Sequence, residues 1–269
     1  MIDIATPQAT PAEIVEKLAR PFPRIWASVG WIAFYFVLQF IIGSIAGVIA
    51  LTSHAAPNAS VADIAASATD LKIIAVATIW SLVISSMFTL SGLYFYLRKE
   101  RRTSAIWLDR WSQMNVTRTL LWAVGLLTVG IGCNYLIETY LFPGIEMQKE
   151  LREIFAAIPK TIPNQLLLFA AAVILVPILE ELLFRGLLQK SLTNRLPVWA
   201  AISMSSAVFA LLHVEPNGVA FGAYAMPGIF LLGSIFGFLY QKTGSLRTNI
   251  LLHMINNGAA LLLSWFFPG

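Results

Sequence analysis

The chain has 269 residues, 58% of them hydrophobic and only 12% charged, with a formal net charge of +4 and a mean hydropathy of +0.74. A soluble domain carries roughly 45–50% apolar and about 25% charged residues, so a soluble globule is excluded, and there is too much apolar surface for a disordered chain. Long unbroken apolar runs, rather than alternating segments of about ten residues, exclude a transmembrane β-barrel. What remains is an all-α, polytopic transmembrane helical bundle.

In chain order, residues 1–25 form a polar tail containing Pro7, Pro11, Pro21 and Pro23. No cleaved signal is read there, because the apolar stretch that follows is too long for one. Seven apolar spans of the length a bilayer needs, about 17–25 residues, are predicted at 26–51, 73–97, 119–142, 165–189, 198–214, 219–240 and 248–267. The first three and their loops form an N-terminal region, 26–164; the remainder, 165–269, is a late-helix core. Residues 52–72 are small and polar and read as an exposed external loop. In 143–164, Leu151, Ile154, Phe155 and Ile158 recur at helical spacing beside Glu146, Lys149, Glu150, Arg152 and Glu153, which predicts an amphipathic helix on the outer interface. Trp26, Trp31, Trp107, Trp111, Trp122, Trp199 and Trp265 lie near span ends, as interfacial anchors do. Gly43-x3-Gly47, Gly218-x3-Gly222 and Gly233-x3-Gly237 suit close helix packing. The single cysteine, Cys133, excludes an intramolecular disulfide and a cysteine metal cluster and reads as a packing residue.

Basic residues in such a chain report topology rather than nucleic-acid binding. Lys17, Arg20, Arg24, Arg98, Lys99, Arg101, Arg102, Arg110, Arg118, Lys190, Arg195, Lys242 and Arg247 fall on one side of the spans. Only Lys72, Lys149, Arg152 and Lys160 fall on the other. The asymmetry predicts an integral membrane protein with its N-terminus inside and its C-terminus outside, and the bacterial look of the chain assigns it to the cytoplasmic membrane.

The fourth span carries Glu180, Glu181 and Arg185 in an otherwise apolar helix. A charge near the bilayer centre costs roughly 2.5–3.5 kcal/mol on insertion scales, so three within six residues need partners or a task. Glu181 and Arg185 are one turn apart and can pair, leaving Glu180, about 100° around the helix, free for other work. Pro177, just upstream, removes a backbone donor and predicts a kink. A structural ion-pair cluster would also account for these charges. His213 closes the fifth span; His253 and Asn257 share one face of the seventh. Each alone could be interhelical hydrogen-bonding glue. Together, two carboxylates, an arginine, two histidines and an asparagine form a hydrolytic kit: a carboxylate with a histidine can deprotonate water, and a second histidine with an amide can donate to an oxyanion. No serine elbow or His-Glu-x-x-His zinc helix is present, so water is the favoured nucleophile.

Glu180-Glu181-x3-Arg185, Phe209-x3-His213 and His253-x3-Asn257, in order and each in an apolar span, resemble the three motifs of the CPBP intramembrane proteases. That family joins the type II CAAX prenyl endopeptidases with bacterial abortive-infection and bacteriocin-processing homologues. Pro177, Phe184-Arg185-Gly186 and Gly244-Ser245-Leu246 add to the likeness, which covers residues 165–267. The resemblance implies an endopeptidase acting on a membrane-associated protein or peptide at the bilayer. Glu180 and His213 would activate water, His253 and Asn257 would support the tetrahedral intermediate, and Glu181 and Arg185 would hold the site. The family has been described both as metal-dependent and as metal-independent. No metal is favoured here; a zinc ion, if bound, would take Glu180, His213 and His253 as ligands.

Two other functions stand beside the protease. A non-enzymatic scaffold, bacteriocin-immunity or regulatory protein retaining the fold would be expected to have lost motif residues, and a carrier would show broken helices in both halves. Depth counts against a shared site. At 1.5 Å per residue, His253 is about 9 Å from Arg247, Glu180 about 15 Å from Lys190 and His213 about 27 Å from Arg195.

Overall fold

The structure is a computed structural model, and it describes residues 22–55, 58, 60–98, 102–111, 116–141, 143, 149–214 and 219–266. The tail at 1–21, Lys99, Arg101, Glu146 and Gly218 lie outside the described residues, as do the side chains of Lys149, Glu150, Leu151, Arg152, Gly222 and Trp265. The described chain is all helix and turn. In order it forms α1 (Ile25–His54), α2 (Val61–Ala66), α3 (Leu71–Arg98), α4 (Arg102–Ala105), α5 (Val116–Leu136), α6 (Lys149–Ala157), α7 (Ile162–Thr193), α8 (Val198–Leu211), α9 (Val219–Thr243) and α10 (Leu246–Phe266).

Among the described residues, four helices are long and apolar enough to cross a bilayer: Ile25–Ser53, Leu71–Arg98, Val116–Cys133 and Ile162–Thr193. The protein is therefore an integral membrane protein. Helices α9 and α10 are 25 and 21 residues long. The expected fifth span is corrected: α8 has 14 residues, about 21 Å at 1.5 Å per residue, short of a hydrocarbon core of about 30 Å.

Lipid tails are as apolar as leucine, so helices in a bilayer associate through close packing and interhelical hydrogen bonds more than through apolar burial. Both are visible. Helices α1 and α3 run antiparallel. Gly43 lets Ser81 approach, Gly92 lies under the Trp31 ring, and Ser81 Oγ donates to the Gln39 carbonyl at 2.6 Å. Of the predicted glycine pairs, Gly47 faces open space, whereas Gly233 meets Ser206 and Gly237 meets Gln189 and Ile202. That second pair draws α9 onto α7 and α8. Cys133 is half-buried and packs against α9.

Within 52–72, Ser60 caps α2. Its Oγ accepts from the Asp63 N–H, and the Asp63 carboxylate accepts from the Ser60 N–H and hydroxyl, a reciprocal cap readable as Ser-x-x-Asp. Those bonds hold the Asp63 carboxyl below its ordinary value. The amphipathic α6 turns its apolar edge to protein rather than lipid: Ile154, Phe155 and Ile158 pack with Ile79, Val83 and Leu168.

The principal core surrounds α7, where Leu179, Leu182, Leu183, Phe184 and Leu187 are buried. This helix is not uniform. Residues Ala170–Leu175 and Glu181–Gln189 form wide, π-helical turns; the Lys190 N–H, for example, reaches back to the Arg185 carbonyl. Such turns are frequent at functional sites. The first precedes Pro177, whose ring cannot continue an ordinary ladder.

The base of the core is closed by residues 102–111. The Leu246 N–H donates to the Trp107 carbonyl, Arg110 Nε to the Gly244 carbonyl, Ser245 Oγ to the Arg110 carbonyl and the Tyr240 hydroxyl to the Ile106 carbonyl. Gly244, with φ of +58°, supplies the left-handed turn between α9 and α10. Trp107, predicted to anchor at the interface, instead packs on Tyr240 beneath the Lys190 ammonium, 3.8 Å from its ring. Trp31 is likewise turned inward, onto Phe34 and Tyr96. Trp26, Trp111 and Trp199 are exposed.

Candidate active site

Four helices position the acidic pair. Helix α7 carries Glu180, Glu181 and Arg185. Helix α9 runs parallel to α7, its main chain held by Arg185 Nη2 on the Gly233 carbonyl (3.1 Å) and Gln189 Nε2 on the Gly237 carbonyl (2.9 Å). Helix α8 returns antiparallel, with Ser205 Oγ donating to the Phe184 carbonyl, and delivers His213 just past its C-terminus. Helix α10, also antiparallel, delivers Asn249, His253 and Asn257, one per turn along one face.

The expected depth mismatch disappears because its reference points were wrong. Helix α7 continues through Lys190 to Thr193, so Lys190 does not mark a flank. From the turn at 194–197, Glu180 lies about 21 Å back along α7 and His213 about 24 Å along α8. The α9–α10 turn sits deeper, since Leu246 packs on Gly186. From that level Glu180 is about 9 Å away and His253 about 10.5 Å.

Glu181 is fully buried and fully engaged. Its Oε1 lies 3.2 Å from Arg185 Nη1 and accepts from His253 Nδ1 at 3.0 Å; its Oε2 accepts from Asn249 Nδ2 at 3.0 Å. The Arg185 guanidinium stands 4.8 Å from the Phe209 ring and 5.5 Å from that of Phe236, and cation–π attraction is strongest for such a desolvated cation. Asn249 also donates to the Phe236 carbonyl.

Glu180 is different. Its Oε1 lies 3.5 Å from His213 Nε2 and its Oε2 lies 3.6 Å from His253 Nε2. One carboxylate thus faces two imidazoles, each already oriented through its other nitrogen. His213 Nδ1 is 2.7 Å from the Phe209 carbonyl. A carbonyl only accepts, so this nitrogen carries its proton and Nε2 is left for chemistry. His253 Nδ1 donates to Glu181 in the same manner, and the His253 ring stacks on Phe236. The site opens on the His213 side, where the side chain is 32% exposed against 4% for His253.

Asn257 is not drawn onto the carboxylates. Its Nδ2 donates to the Ala172 carbonyl at 3.0 Å, within the first wide turn of α7, and its Oδ1 accepts from Asn256. The amide keeps a second N–H. Among the described residues, no three His, Cys, Asp or Glu side chains form a group that could hold a metal ion. Metal ligation by Glu180, His213 and His253, and with it a metalloprotease, finds no support. Sequence reasoning missed Asn249 and Phe236. Asn249 was legible, since Asn249-x3-His253-x3-Asn257 is a polar stripe at one-turn spacing in an apolar helix. Phe236 carries no such signal.

Three motifs from separate helices thus meet within one bundle. Residues 162–259 match the Rce1-like family of type II CAAX prenyl endopeptidases. The Rce1-like segment takes in α7 to α10 through the Asn249–Asn257 stripe, close to the range of the sequence resemblance. The UPF0177 protein YxdF of Lactococcus lactis subsp. lactis (strain IL1403) is 26% identical over 159 residues, 56% of this chain and 82% of that protein. YdiL of Bacillus subtilis (strain 168), named as a candidate membrane peptidase, is 25% identical over 150 residues, 54% of this chain and 56% of that protein. No solved structure matches. The Rce1-like match and the second relative support a CAAX-protease-like membrane peptidase.

Proposed function

We propose that the protein is an intramembrane endopeptidase in which Glu180 and His213 activate water against a peptide bond of a membrane-associated protein or peptide. The observation that carries this reading is the Glu180 carboxylate set between two imidazole Nε2 atoms, 3.5 and 3.6 Å away, at the half-open end of an otherwise buried ion-pair cluster. A water on the His213 side gives its proton to Glu180 as its oxygen attacks the carbonyl carbon; Glu180 then passes that proton to the leaving amine. His253, oriented through Nδ1 by Glu181, presents Nε2 to the reacting centre as one oxyanion donor. The second Asn257 N–H is the other donor. Glu181, Arg185 and Asn249 keep His253 in place. No step uses a metal.

The relatives are bacterial and the basic residues cluster on one side, which favours the cytoplasmic membrane with the N-terminus inside. The test is cleavage by the purified protein in liposomes of membrane-anchored peptide reporters, prenylated and unprenylated. We expect cleavage by the wild type, none by Glu180→Gln or His213→Ala, and an unchanged rate with a chelator. Undiminished cleavage by Glu180→Gln would refute the mechanism.

A further inference from the structure

Helices α1 and α3 are apolar along most of their length, yet the stretch that passes α7 near Glu180 is lined with hydroxyls. Tyr35 is 4% exposed, and Ser85, Ser86 and Thr89 are fully buried. The three α3 residues share one face at i,i+3 and i,i+4 spacing, and α3 packs on the Val176–Glu180 stretch of α7. The Tyr35 hydroxyl lies beside those of Ser85 and Ser86 and within electrostatic reach of Glu180, without the geometry of a hydrogen bond to Ser86.

Several helix hydroxyls elsewhere in this bundle return to their own backbone, and Ser81 and Ser205 bond the carbonyls of a neighbouring helix. Ser44 bonds the Phe40 carbonyl, Ser91 that of Met87 and Ser234 that of Phe230, at 2.8–2.9 Å, and Ser85 bonds the Ser81 carbonyl. Ser86 Oγ and Thr89 Oγ1 do not; neither has a hydrogen-bond partner among the described protein groups. Buried hydroxyls are expensive to leave unpaired. A group that donates and accepts at once satisfies both, and buried water does so with about three polar partners. Full burial of Ser86 and Thr89 excludes a peptide from this position.

We propose that Tyr35, Ser86 and Thr89 form a water-binding site beside Glu180, built by the N-terminal helix pair, that supplies the hydrolytic water from within the bundle. The supply role rests on the reading of Glu180 as the group that activates water; the water site itself does not. Glu180 draws on this store at each turnover, and the substrate enters from the half-open His213 side, where that water attacks.

Hydroxyl-radical footprinting by X-ray radiolysis marks side chains that touch bound water and needs no substrate. On the full-length wild type in liposomes, Tyr35 should be modified several-fold faster than Tyr240, which is also buried, 0% exposed against 4%, but donates to the Ile106 carbonyl. Ser86→Ala with Thr89→Val should remove most of that excess. Where cleavage is measurable, the double variant should lower kcat with KM unchanged. Tyr35 modified no faster than Tyr240 in the wild type would overturn the proposal, as would excess modification that survives the double variant. The wild-type comparison stands even if the variant folds poorly. A positive footprint without cleavage of any reporter would uphold the water site and count against the hydrolytic reading.

Discussion

The α1–α3 pair and the α7–α10 bundle solve the problem of joining helices in a bilayer in different ways. The first relies on glycines, ring contacts and isolated hydroxyls such as Ser81 on the Gln39 carbonyl. The second buries a carboxylate, a guanidinium and two side-chain amides and satisfies them chiefly with one another and with main-chain carbonyls. In the first, a lost contact is a local matter, because a hydroxyl such as that of Ser81 binds one main-chain carbonyl across the pair. In the second, Glu181 serves Arg185, His253 and Asn249 at once, and Arg185 and Asn249 each also reach a main-chain carbonyl, so removing one strands its neighbours at low dielectric.

That contrast can be broken by substitution. The largest effect on folding is expected from Arg185→Met, which leaves the Glu181 charge buried and unpaired and should cost about 3–5 kcal/mol, measured by denaturant unfolding in micelles. Glu180→Gln keeps the shape and, by removing a general base, should cost about 10²–10⁴-fold in cleavage rate with an unchanged melting temperature; a large loss of stability would recast Glu180 as structural. Gly237→Ala places a Cβ 2.7 Å from Gln189 Oε1 and 3.0 Å from Ile202 Cγ2 and should cost about 1–3 kcal/mol. Ser81→Ala should cost about 0.6 kcal/mol, the mean for interhelical hydrogen bonds in a membrane protein. If Ser81→Ala cost as much as Arg185→Met in the same unfolding assay, the contrast between the two regions would fail.

Composition alone makes the all-α membrane class legible, because no other class tolerates this hydropathy. The Glu181–Arg185 contact follows from one-turn spacing. Less was readable where geometry depends on tertiary context. Nothing in the sequence marks nine residues of wide helix from Glu181, although Pro177 signals that an ordinary ladder is interrupted nearby. The short α8 hides in a continuous apolar run, and Lys190 looks like a flank because lysine usually marks one, whereas here Trp107 receives it inside the helix end. The placement of Asn257 on the Ala172 carbonyl could not be foreseen either, since a backbone acceptor has no letter in the sequence.

That last contact belongs to a set. Arg185, Gln189, Asn249 and Asn257 each address a carbonyl oxygen of another helical turn, at Gly233, Gly237, Phe236 and Ala172. A side chain that binds main chain constrains where its partner's backbone runs, but not which residue stands there beyond the space it takes. Evolution can therefore rewrite most of the receiving helix while the helices stay in register, and drift is limited at the four donors and at the tight glycines. This protein shares about one residue in four with the two bacterial relatives over the matched stretches, a divergence that such an arrangement can absorb without moving its helices.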